Sequence, residues 1–524
     1  MDEACLLLMS VQRKRLRLFI LRLFSMCFRP LAIEISRSCP SLTLLHLGPG
    51  LANAIANLHN AKRAGTPLLN IVGDMATWHH GADALLEMDI EGLAATVSTW
   101  VHTSRLPGAM QGDAVEALQA TRRSFHNRPC VSRGRVVTLI VPHDRTWENP
   151  SGSLAELDED DVRKHEKGCC DAGMEEPSMV REFIARCAAA LVSCASSRKT
   201  ALYCGNDALI SRADGGALES AGEVARLAGA ELLCENAFPR IDRGGDLPLM
   251  KRLPYFPKDA AKMLSSYDMV VVLDARRPIA MFGYKDSGPS HVMRLEDDNI
   301  WDIDAGVEVA KTVEMLLEEV KKLTSLNNGA MIRRPQPPSV PQDGRLTASA
   351  MCAVIAATQP EGAVIVDESL TSGGSYWDLS AGCPKFSHMT LTGGAIGFGP
   401  PAAIGAAVAC PGRRVINIQA DGSGMYSAQA LWTQARERLD VVTVICSNRA
   451  YAILKLELAM QGVGTPGKAT QQLTDLGNPP IQWTSIAEGY GVPSVAVDTV
   501  YTFRDALVKA ISTPGPTLIE ALLQ

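Results

Sequence analysis

The chain lacks the features that mark several classes of protein. Its 524 residues carry 51 Lys and Arg against 57 Asp and Glu, a net charge of −6, so it has no basic excess of the kind seen in nucleic-acid-binding domains. Its 14 cysteines include no CxxC pair and do not form the framework of a short secreted chain, which indicates reduced thiols in an intracellular protein. Cys169 and Cys170 adjoin a charged stretch, where we expect no metal site.

What the chain has is length and apolar residues. With 524 residues and 46% hydrophobic composition, it is predicted to be a soluble globular protein with a large core and about three domains. Between residues 179 and 326, helical and strand patterns alternate as in a Rossmann-like α/β unit. No GxGxxG motif occurs in that region, so dinucleotide binding is not supported there.

The stretch that ends at Asn448 reads as one structural unit. Its parts are typical of a strand, a turn, a helix and a second buried strand: RVINIQ (414–419), ADGSG (420–424), MYSAQALWTQARER (425–438) and VVTVIC (441–446). Asp421 and Asn448 follow the two strands, whose carboxyl ends are neighbours in a right-handed parallel crossover. A carboxylate, an amide oxygen and exposed backbone N–H groups suit a hard cation that carries phosphate.

This arrangement resembles the metal- and diphosphate-binding motif of thiamine diphosphate enzymes, whose usual form is GDG followed, one helix and one strand later, by Asn. Ala420 takes the place of the first glycine. Upstream, GGAIGFGPPAAIG at 393–405 resembles the GG-x-[LIM]-G-x-x-[LP]-P-A-A-I-G segment of acetolactate synthase-like and benzoylformate decarboxylase-like members. The alternative for the first motif alone is a turn aspartate and a loop asparagine in an ordinary α/β domain.

The resemblance implies roles for further residues. In the family, the bulky residue at the position of Ile396 bends the cofactor by its shape, and glycines such as Gly394 allow close backbone approach. VDESLTSG at 366–373 resembles the loop that contacts the diphosphate, with Thr371 and Ser372 as donors. An ordinary helix cap is an equally weighted alternative for Thr371 and Ser372.

The resemblance also implies the cofactors. We expect thiamine diphosphate with Mg²⁺, which Asp421, Asn448 and the main-chain carbonyl of Ala450 would hold. Gly422 and Ser423 would contact the diphosphate. FAD is not supported by the sequence.

A second block resembles the pyrimidine-binding domain of the same family. It reads as a strand into a glycine turn, a helix and a second strand: LTLLHLGPG (42–50), LANAIANLHNAKRA (51–64) and LLNIVGD (68–74). His46 matches a histidine that faces the substrate in some decarboxylases, with a structural histidine as the alternative. His79 and His80 follow the second strand, and we interpret them as solvated loop residues rather than as part of the site.

One expected residue is missing. Members of the family carry a glutamate, at a fixed distance before the histidine position, that hydrogen-bonds the aminopyrimidine ring and relays a proton in a desolvated site. Counting back from His46 reaches Leu23, and Glu34 has the wrong spacing. One related carboligase class works with an aliphatic residue there, so loss of activity does not strictly follow.

Residues 1–39 form an atypical basic and hydrophobic segment that does not resemble the family. An organelle-targeting presequence would be rich in Arg and poor in acidic residues, as this segment is. A membrane span is excluded because charges interrupt every apolar run before about 18 residues. We favour a gene-model or exon error, because a presequence would be added to the first domain and would not replace part of it.

The predicted fold class is α/β, with three doubly wound parallel-sheet domains, the first incomplete at its N-terminus. The predicted parts are the atypical segment, a pyrimidine-binding domain, a linker, a middle Rossmann-like domain, a Pro-rich linker and a diphosphate- and Mg-binding domain: 1–39, 40–150, 151–178, 179–326, 327–345 and 346–524. In the middle domain, Lys285 lies where benzoylformate decarboxylase-like members carry a second histidine. This argues against a plain benzoylformate decarboxylase.

The function implied by the resemblance is that of a 2-oxo acid enzyme, a transferase or lyase. An acetolactate synthase-like carboligase acting on pyruvate or a related 2-oxo acid ranks first. A decarboxylase of the benzoylformate decarboxylase type ranks second. A catalytically impaired cofactor-binding homologue is the third reading, because the activating glutamate is not found.

The family also implies partners and a compartment. We expect a homodimer or homotetramer with active sites between subunits, and no nucleic-acid or membrane partner. The expected location is cytoplasmic, or mitochondrial if residues 1–39 are a presequence.

Overall fold

A computed structural model describes most of the chain after residue 39. The described residues are 40–106, 108–121, 135–147, 178–195, 197–212, 215–282, 291–293, 299–303, 309–324, 335–336 and 338–524. They divide into two compact units, the first ending at Ile184 and the second beginning at Ala185. Leu23, Glu34, Lys285, Cys169, Cys170 and most of the predicted linker 151–178 lie outside the described residues.

The first unit contains a four-stranded parallel sheet in the order β1-β2-β4-β3. Its strands are β1 (Ser41–Leu45), β2 (Leu68–Asp74), β3 (Trp100–Thr103) and β4 (Val136–Pro142). The connecting helices are α1 (Leu47–Ala64), α2 (Ile90–Ala95) and α3 (Met110–Ala120), and a 3-10 turn (His143–Trp147) follows β4. β4 is buried along its whole length, as expected for an inner strand covered on both faces.

A middle sheet lies in the second unit. Its five strands are parallel, in the order β10-β9-β5-β6-β8: β5 (Thr200–Cys204), β6 (Glu231–Cys234), β8 (Lys251–Arg252), β9 (Met269–Leu273) and β10 (Ile300–Ile303). The helices are α4 (Ser178–Cys194), whose first residues up to Ile184 belong to the first unit, α5 (Ala217–Ala228), α6 (Pro257–Leu264) and α7 (Val309–Leu323), with a 3-10 turn (Asn206–Leu209).

The third sheet, also in the second unit, has seven strands in the order β15-β16-β14-β13-β11-β12-β7. The strands are β7 (Ile241–Arg243), β11 (Val364–Glu368), β12 (Phe386–Thr390), β13 (Val415–Ala420), β14 (Val441–Ser447), β15 (Ser494–Val497) and β16 (Thr517–Leu522). All pairs are parallel except β7 with β12. β7 comes from within 179–326, the range predicted for the middle domain.

Helices cover this third sheet. They are α8 (Ala348–Thr358), α9 (Tyr376–Leu379), α10 (Gly399–Ala409), α11 (Asp421–Gly424), α12 (Ala430–Arg436), α13 (Ala452–Met460), α14 (Lys468–Thr474), α15 (Trp483–Gly489) and α16 (Val500–Ser512). Two 3-10 turns accompany them (Ser380–Gly382 and Met425–Ser427). Ile416, Val444 and Ile519 of the inner strands pack with α8 and α16 in one buried core.

The structure differs from the predicted elements at a few boundaries. α1 begins at Leu47 instead of Leu51, because Pro49 in a first helical turn removes no hydrogen bond that the helix needs. The predicted turn at 420–424 is a single helical turn, and the predicted helix 425–438 is a 3-10 turn followed by α12. In the part of the chain that the structure describes, no helix combines the length and apolarity that a bilayer crossing requires.

Candidate cofactor site

Three neighbouring strands of the third sheet end at the same edge. β11 pairs with β13, Glu368 opposite Gln419, and β13 pairs with β14, Ala420 opposite Cys446. The loops that follow these strands therefore leave the sheet side by side, at the carboxyl edge where parallel α/β sheets bind ligands. Most of the residues predicted for the site lie in these loops.

Asp421 connects two of the loops through its side chain. It is 3% exposed. One carboxylate oxygen accepts the N–H of Gly422 at 2.8 Å, and the other accepts the N–H of Arg449, beyond β14, at 2.7 Å. Burial raises the pKa of the Asp421 carboxyl, and these backbone N–H groups act in the opposite direction.

Asn448 connects the loop after β14 to the loop after β11. Its Oδ1 accepts the N–H of Ala450 at 2.9 Å, and its Nδ2 donates to Oγ of Ser372 at 3.4 Å. Ser372 is buried, whereas Thr371 is half-buried. The structure thus brings together Ser372, Asp421 and Asn448, which lie far apart in the sequence.

Gly422 and Ser423 are buried in the helical turn that Asp421 begins. A Cβ at Gly422 would lie 2.4 Å from Cε1 of Tyr451 and 3.0 Å from Cδ1 of Leu476, so the close packing of these side chains requires a glycine. Ala450 pairs with Asp475 in an isolated backbone bridge. Among the described residues, no group of three or more His, Cys, Asp and Glu is placed to hold a metal ion. The oxygens at this edge include the Asp421 carboxylate, the Asn448 amide oxygen, the Ser372 hydroxyl and main-chain carbonyls.

The glycine-rich segment before α10 forms the fourth loop of this edge. Gly394 and Gly397 have φ values of 76° and 90°, a left-handed conformation that favours glycine. The N–H groups of Gly397 and Gly399 each donate to the carboxylate of Glu368 at 2.7 Å. Ile396, the residue predicted to bend the cofactor, is half-buried immediately before this pair.

Glu368 is the site residue to which the sequence analysis assigned no role. It is 1% exposed, and burial raises the pKa of its carboxyl to about 7, while its N–H donors act in the opposite direction. Nε2 of Gln419 is a third donor, at 3.0 Å. The available signal was a glutamate at the end of the buried strand AVIVDE, an unusual place for an acidic side chain.

His46 lies in the first unit, immediately after β1, and it is exposed. The next residue, Leu47, has a φ of 58°, although it is not a glycine. A Cβ at Gly48 would lie 2.5 Å from Cβ of Met88, so the chain after His46 is closely packed.

His79 is exposed, but His80 has partners in the structure. Nε2 of His80 lies 3.2 Å from Oδ2 of Asp74, and Nδ1 lies 3.8 Å from Oε1 of Glu87. His80 is 43% exposed. It is therefore a loop residue held between two carboxylates rather than a fully solvated histidine.

Backbone strain is found at three of the loops that carry candidate residues. Leu47, Leu370 and Arg449 have φ values between 52° and 58°, which a residue with a side chain adopts at a cost of about 1 kcal/mol or more. Leu47 follows His46, Leu370 precedes Thr371, and Arg449 follows Asn448. Such strain is frequent at binding sites, because the surrounding structure holds loops in conformations suited to a ligand.

Two family models match this chain. The model for the thiamine pyrophosphate enzyme C-terminal TPP binding domain matches residues 379–521, and the model for the N-terminal TPP binding domain matches residues 32–93. A putative acetolactate synthase large subunit, IlvX, of Mycobacterium tuberculosis is 37% identical over 494 residues, which cover 92% of this chain and 87% of the relative. The chain therefore belongs to the family of thiamine pyrophosphate (thiamine diphosphate) enzymes, which confirms the resemblance seen in the sequence.

A second relative agrees with this assignment, and two solved structures have a similar fold. Benzoylformate decarboxylase of Pseudomonas aeruginosa is 27% identical over 501 residues, covering 93% of this chain and 87% of that protein. A Rhodococcus jostii thiamine diphosphate-dependent 4-hydroxybenzoylformate decarboxylase has a similar structure, with a TM-score of 0.72 and 22% identity over 94% of this chain and 90% of that one. A putative thiamin diphosphate-dependent enzyme from Mycobacterium smegmatis has a TM-score of 0.70 and 22% identity over 98% and 94%. These structures confirm the predicted α/β fold.

Proposed function

We propose that this chain binds thiamine diphosphate together with Mg²⁺ at the edge formed by β11, β13 and β14. The observation that carries the proposal is the pair of side chains that join the loops: Asp421 accepts from Arg449, and Asn448 donates to Ser372. Asp421 is buried with a raised pKa, and a divalent cation beside it would favour its charged form. The Asp421 carboxylate, the Asn448 amide oxygen and the Ala450 carbonyl are the hard oxygen ligands that Mg²⁺ prefers.

The residues around the metal ligands suit the rest of the cofactor. Thr371, Ser372 and Ser423 carry hydroxyl groups, and Gly422 offers a backbone N–H to a diphosphate. Ile396 would support the bent cofactor by its shape. Bound thiamine diphosphate supplies the electron sink that allows a 2-oxo acid to lose carbon dioxide. The chain's part is to anchor the diphosphate, orient the ring system and exclude water.

The proposed reaction is carboligation of the acetolactate synthase type, acting on pyruvate or a related 2-oxo acid. The relative named as a putative acetolactate synthase large subunit supports it, through 37% identity over 92% of this chain. We propose that the active enzyme is a homodimer or homotetramer, because members of this family form their active sites between subunits.

Decarboxylation of a 2-oxo acid to an aldehyde is the second candidate. It is favoured by His46, which is exposed at the carboxyl end of β1 and would be able to carry a proton to or from a bound product. The benzoylformate decarboxylase relative supports this alternative less strongly, at 27% identity. Cofactor binding without turnover is the third candidate, because no glutamate stands at the expected distance before His46.

Product analysis separates these candidates. Purified protein is incubated with thiamine diphosphate, Mg²⁺ and either pyruvate or benzoylformate, and carbon dioxide, acetolactate and aldehydes are measured. Acetolactate supports the first candidate and an aldehyde the second. Calorimetric binding of thiamine diphosphate without carbon dioxide release supports the third. If thiamine diphosphate does not bind in the presence of Mg²⁺, all three are wrong.

A further inference from the structure

A buried carboxylate beside the candidate site has no part in holding the metal. Glu368 ends β11 and is 1% exposed, in a position where an acidic side chain is costly unless it is hydrogen-bonded. Both of its oxygens are used. Oε1 accepts the N–H of Gly397, while Oε2 accepts the N–H of Gly399 and Nε2 of Gln419.

The backbone of residues 393–399 has a conformation that fits the Glu368 carboxylate. Gly397 has a φ of 90°, and a Cβ there would lie 2.7 Å from Cβ of Tyr426. A Cβ at Gly399 would lie 2.0 Å from Oε1 of Gln419. Side chains at these two positions would collide with their neighbours, so both glycines are needed for the loop to bring alternate N–H groups onto one carboxylate.

Glu368 also takes the part of an N-terminal cap for α10, which has no side-chain cap of its own. α10 begins at Gly399, preceded by Phe398, whose side chain has no hydrogen-bond acceptor. The first N–H groups of a helix have no partner within the helix, and an anion near them is stabilised by the helix dipole. The carboxylate that accepts from Gly399 comes from a strand 31 residues earlier in the chain.

We propose that Glu368, supported by Gln419, is a positioning residue that holds residues 393–399 in a cofactor-ready conformation before the cofactor binds. Ile396 lies one residue before the first N–H that Glu368 accepts, so its position in the cleft depends on that hydrogen bond. This inference rests on the proposed cofactor function. It adds that the cofactor binds more tightly than it would to a disordered loop, because residues 393–399 do not have to be ordered at the moment of binding.

The test compares Glu368→Gln with a control, Glu361→Gln, at an exposed glutamate that precedes β11. A glutamine side chain has the same shape but one acceptor oxygen instead of two, so one of the two loop N–H groups loses its partner. In cofactor-free protein at a pH above 7, where the Glu368 carboxyl is ionised, we expect amide hydrogen exchange in a peptide covering 393–399 to be about tenfold faster, from the loss of one hydrogen bond. Peptides from β13 and β14 should exchange at the wild-type rate.

The second measurement is the affinity for thiamine diphosphate in saturating Mg²⁺. We expect Glu368→Gln to weaken it by roughly ten- to a hundredfold, since the loop must then be ordered at the moment of binding. Glu361→Gln should match the wild type in both measurements. Glu368→Asp keeps the charge but is one methylene too short to reach both N–H groups, so we expect it to accelerate exchange in the same peptide.

The outcomes separate the inference from the proposed function. Exchange at 393–399 that is unchanged in both Glu368 variants overturns the positioning role, whether or not the cofactor binds. Exchange that rises equally across the second unit also overturns it, because Glu368 would then only stabilise the fold. If the wild type does not bind thiamine diphosphate, the proposed function fails, while faster exchange confined to 393–399 still supports the ordering of the loop by Glu368.

Discussion

Asp421 is the residue on which the candidate site depends most directly. Its carboxylate is nearly inaccessible, and it holds the turn after β13 and the loop after β14 through backbone N–H groups. Each oxygen that accepts one N–H keeps a second lone pair. The same side chain can therefore hold the loops and ligate a cation.

Replacing this carboxylate should weaken cofactor binding far more than it lowers the stability of the fold. We expect Asp421→Asn to weaken the affinity for thiamine diphosphate in Mg²⁺ by at least about 100-fold, because an anionic oxygen ligand is lost. The Tm of the cofactor-free protein should fall only modestly, because the amide keeps one acceptor oxygen and removes a buried charge, while either the Gly422 or the Arg449 N–H loses its partner. Titration calorimetry and thermal unfolding measure the two effects. The control is Asp378→Asn, at an exposed position, and equal affinities for the two variants would contradict the assignment.

Two buried ionisable residues, Glu368 and His388, make the stability of the protein depend on pH in opposite directions. Burial raises the pKa of Glu368 to about 7 from 4.5, so the stability that its protonated form supplies is present below pH 4.5 and is lost as pH rises to about 7. Burial lowers the pKa of His388 to about 4 from 6.5, so the stability that its neutral form supplies is present above pH 6.5 and is lost as pH falls to about 4. The two effects oppose each other between these limits.

Removing the ionisable group of Glu368 should leave the pH dependence that His388 gives to stability unopposed. In Glu368→Gln we expect the free energy of unfolding to rise with pH between about 4.5 and about 6.5, more steeply than in the wild type by up to about 1.4 kcal/mol per pH unit. Urea unfolding across this range measures the slope. Identical slopes for the variant and the wild type would show that Glu368 does not titrate there.

At the scale of elements, local patterns predicted most of the third sheet. β13 and β14 lie close to the predicted positions, because runs of β-branched residues are a local signal. The hydrogen bond from the Arg449 N–H to Asp421 agrees with the predicted convergence of the strand ends that precede Asp421 and Asn448. The role of Glu368 could not be predicted, because its partners are two backbone N–H groups and the Gln419 side chain, which lie 29, 31 and 51 residues away in the chain.

β7 is a strand that local sequence patterns do not predict. It has only three residues, and it joins the third sheet as an antiparallel edge strand, with Arg243 opposite Phe386. A strand this short has no detectable period. Its place is set by contacts distant in sequence: Arg243 donates to Oγ of Ser380 at 3.0 Å and to the carbonyl of Trp377 at 2.7 Å, and its guanidinium lies 3.5 Å from the centre of the Trp377 ring.

Arg243 should therefore contribute strongly to stability. We expect Arg243→Met to lower the free energy of unfolding by about 3 kcal/mol, because buried hydrogen-bond acceptors lose a charged donor and the stacking on Trp377 is weakened. Arg436→Met is the control, since Arg436 also lies over a tryptophan ring but is 61% exposed. It should cost no more than about 0.5 kcal/mol. Equal effects in denaturant unfolding would contradict this account of β7.

At the scale of the whole molecule, cofactor binding and folding should be coupled. A ligand that binds only the folded state raises the free energy of unfolding by about 2.7 kcal/mol at a concentration 100 times its Kd. We expect thiamine diphosphate with Mg²⁺ to raise the Tm, and a chelator to reverse the increase, because Asp421, Asn448 and the Ala450 carbonyl would then have no Mg²⁺ to hold. A Tm that does not respond to the chelator would show that the metal has no part in binding.

The cysteines of the second unit provide a reporter of how that unit opens. Eight described cysteines are free and buried. Burial raises the pKa of Cys187 and Cys352 to about 12 and that of Cys446 well above its usual value, so these thiols are unreactive towards alkylating reagents while the fold is closed. Cys187, Cys194, Cys204 and Cys234 lie on or beside the middle sheet, and Cys352, Cys383, Cys410 and Cys446 on or beside the third. β7 lies in the chain between these two sets of cysteines and pairs with β12 of the third sheet. We therefore expect both sets to be alkylated at one common rate. Thiol labelling followed by mass spectrometry would then measure the rate at which the second unit opens as a whole.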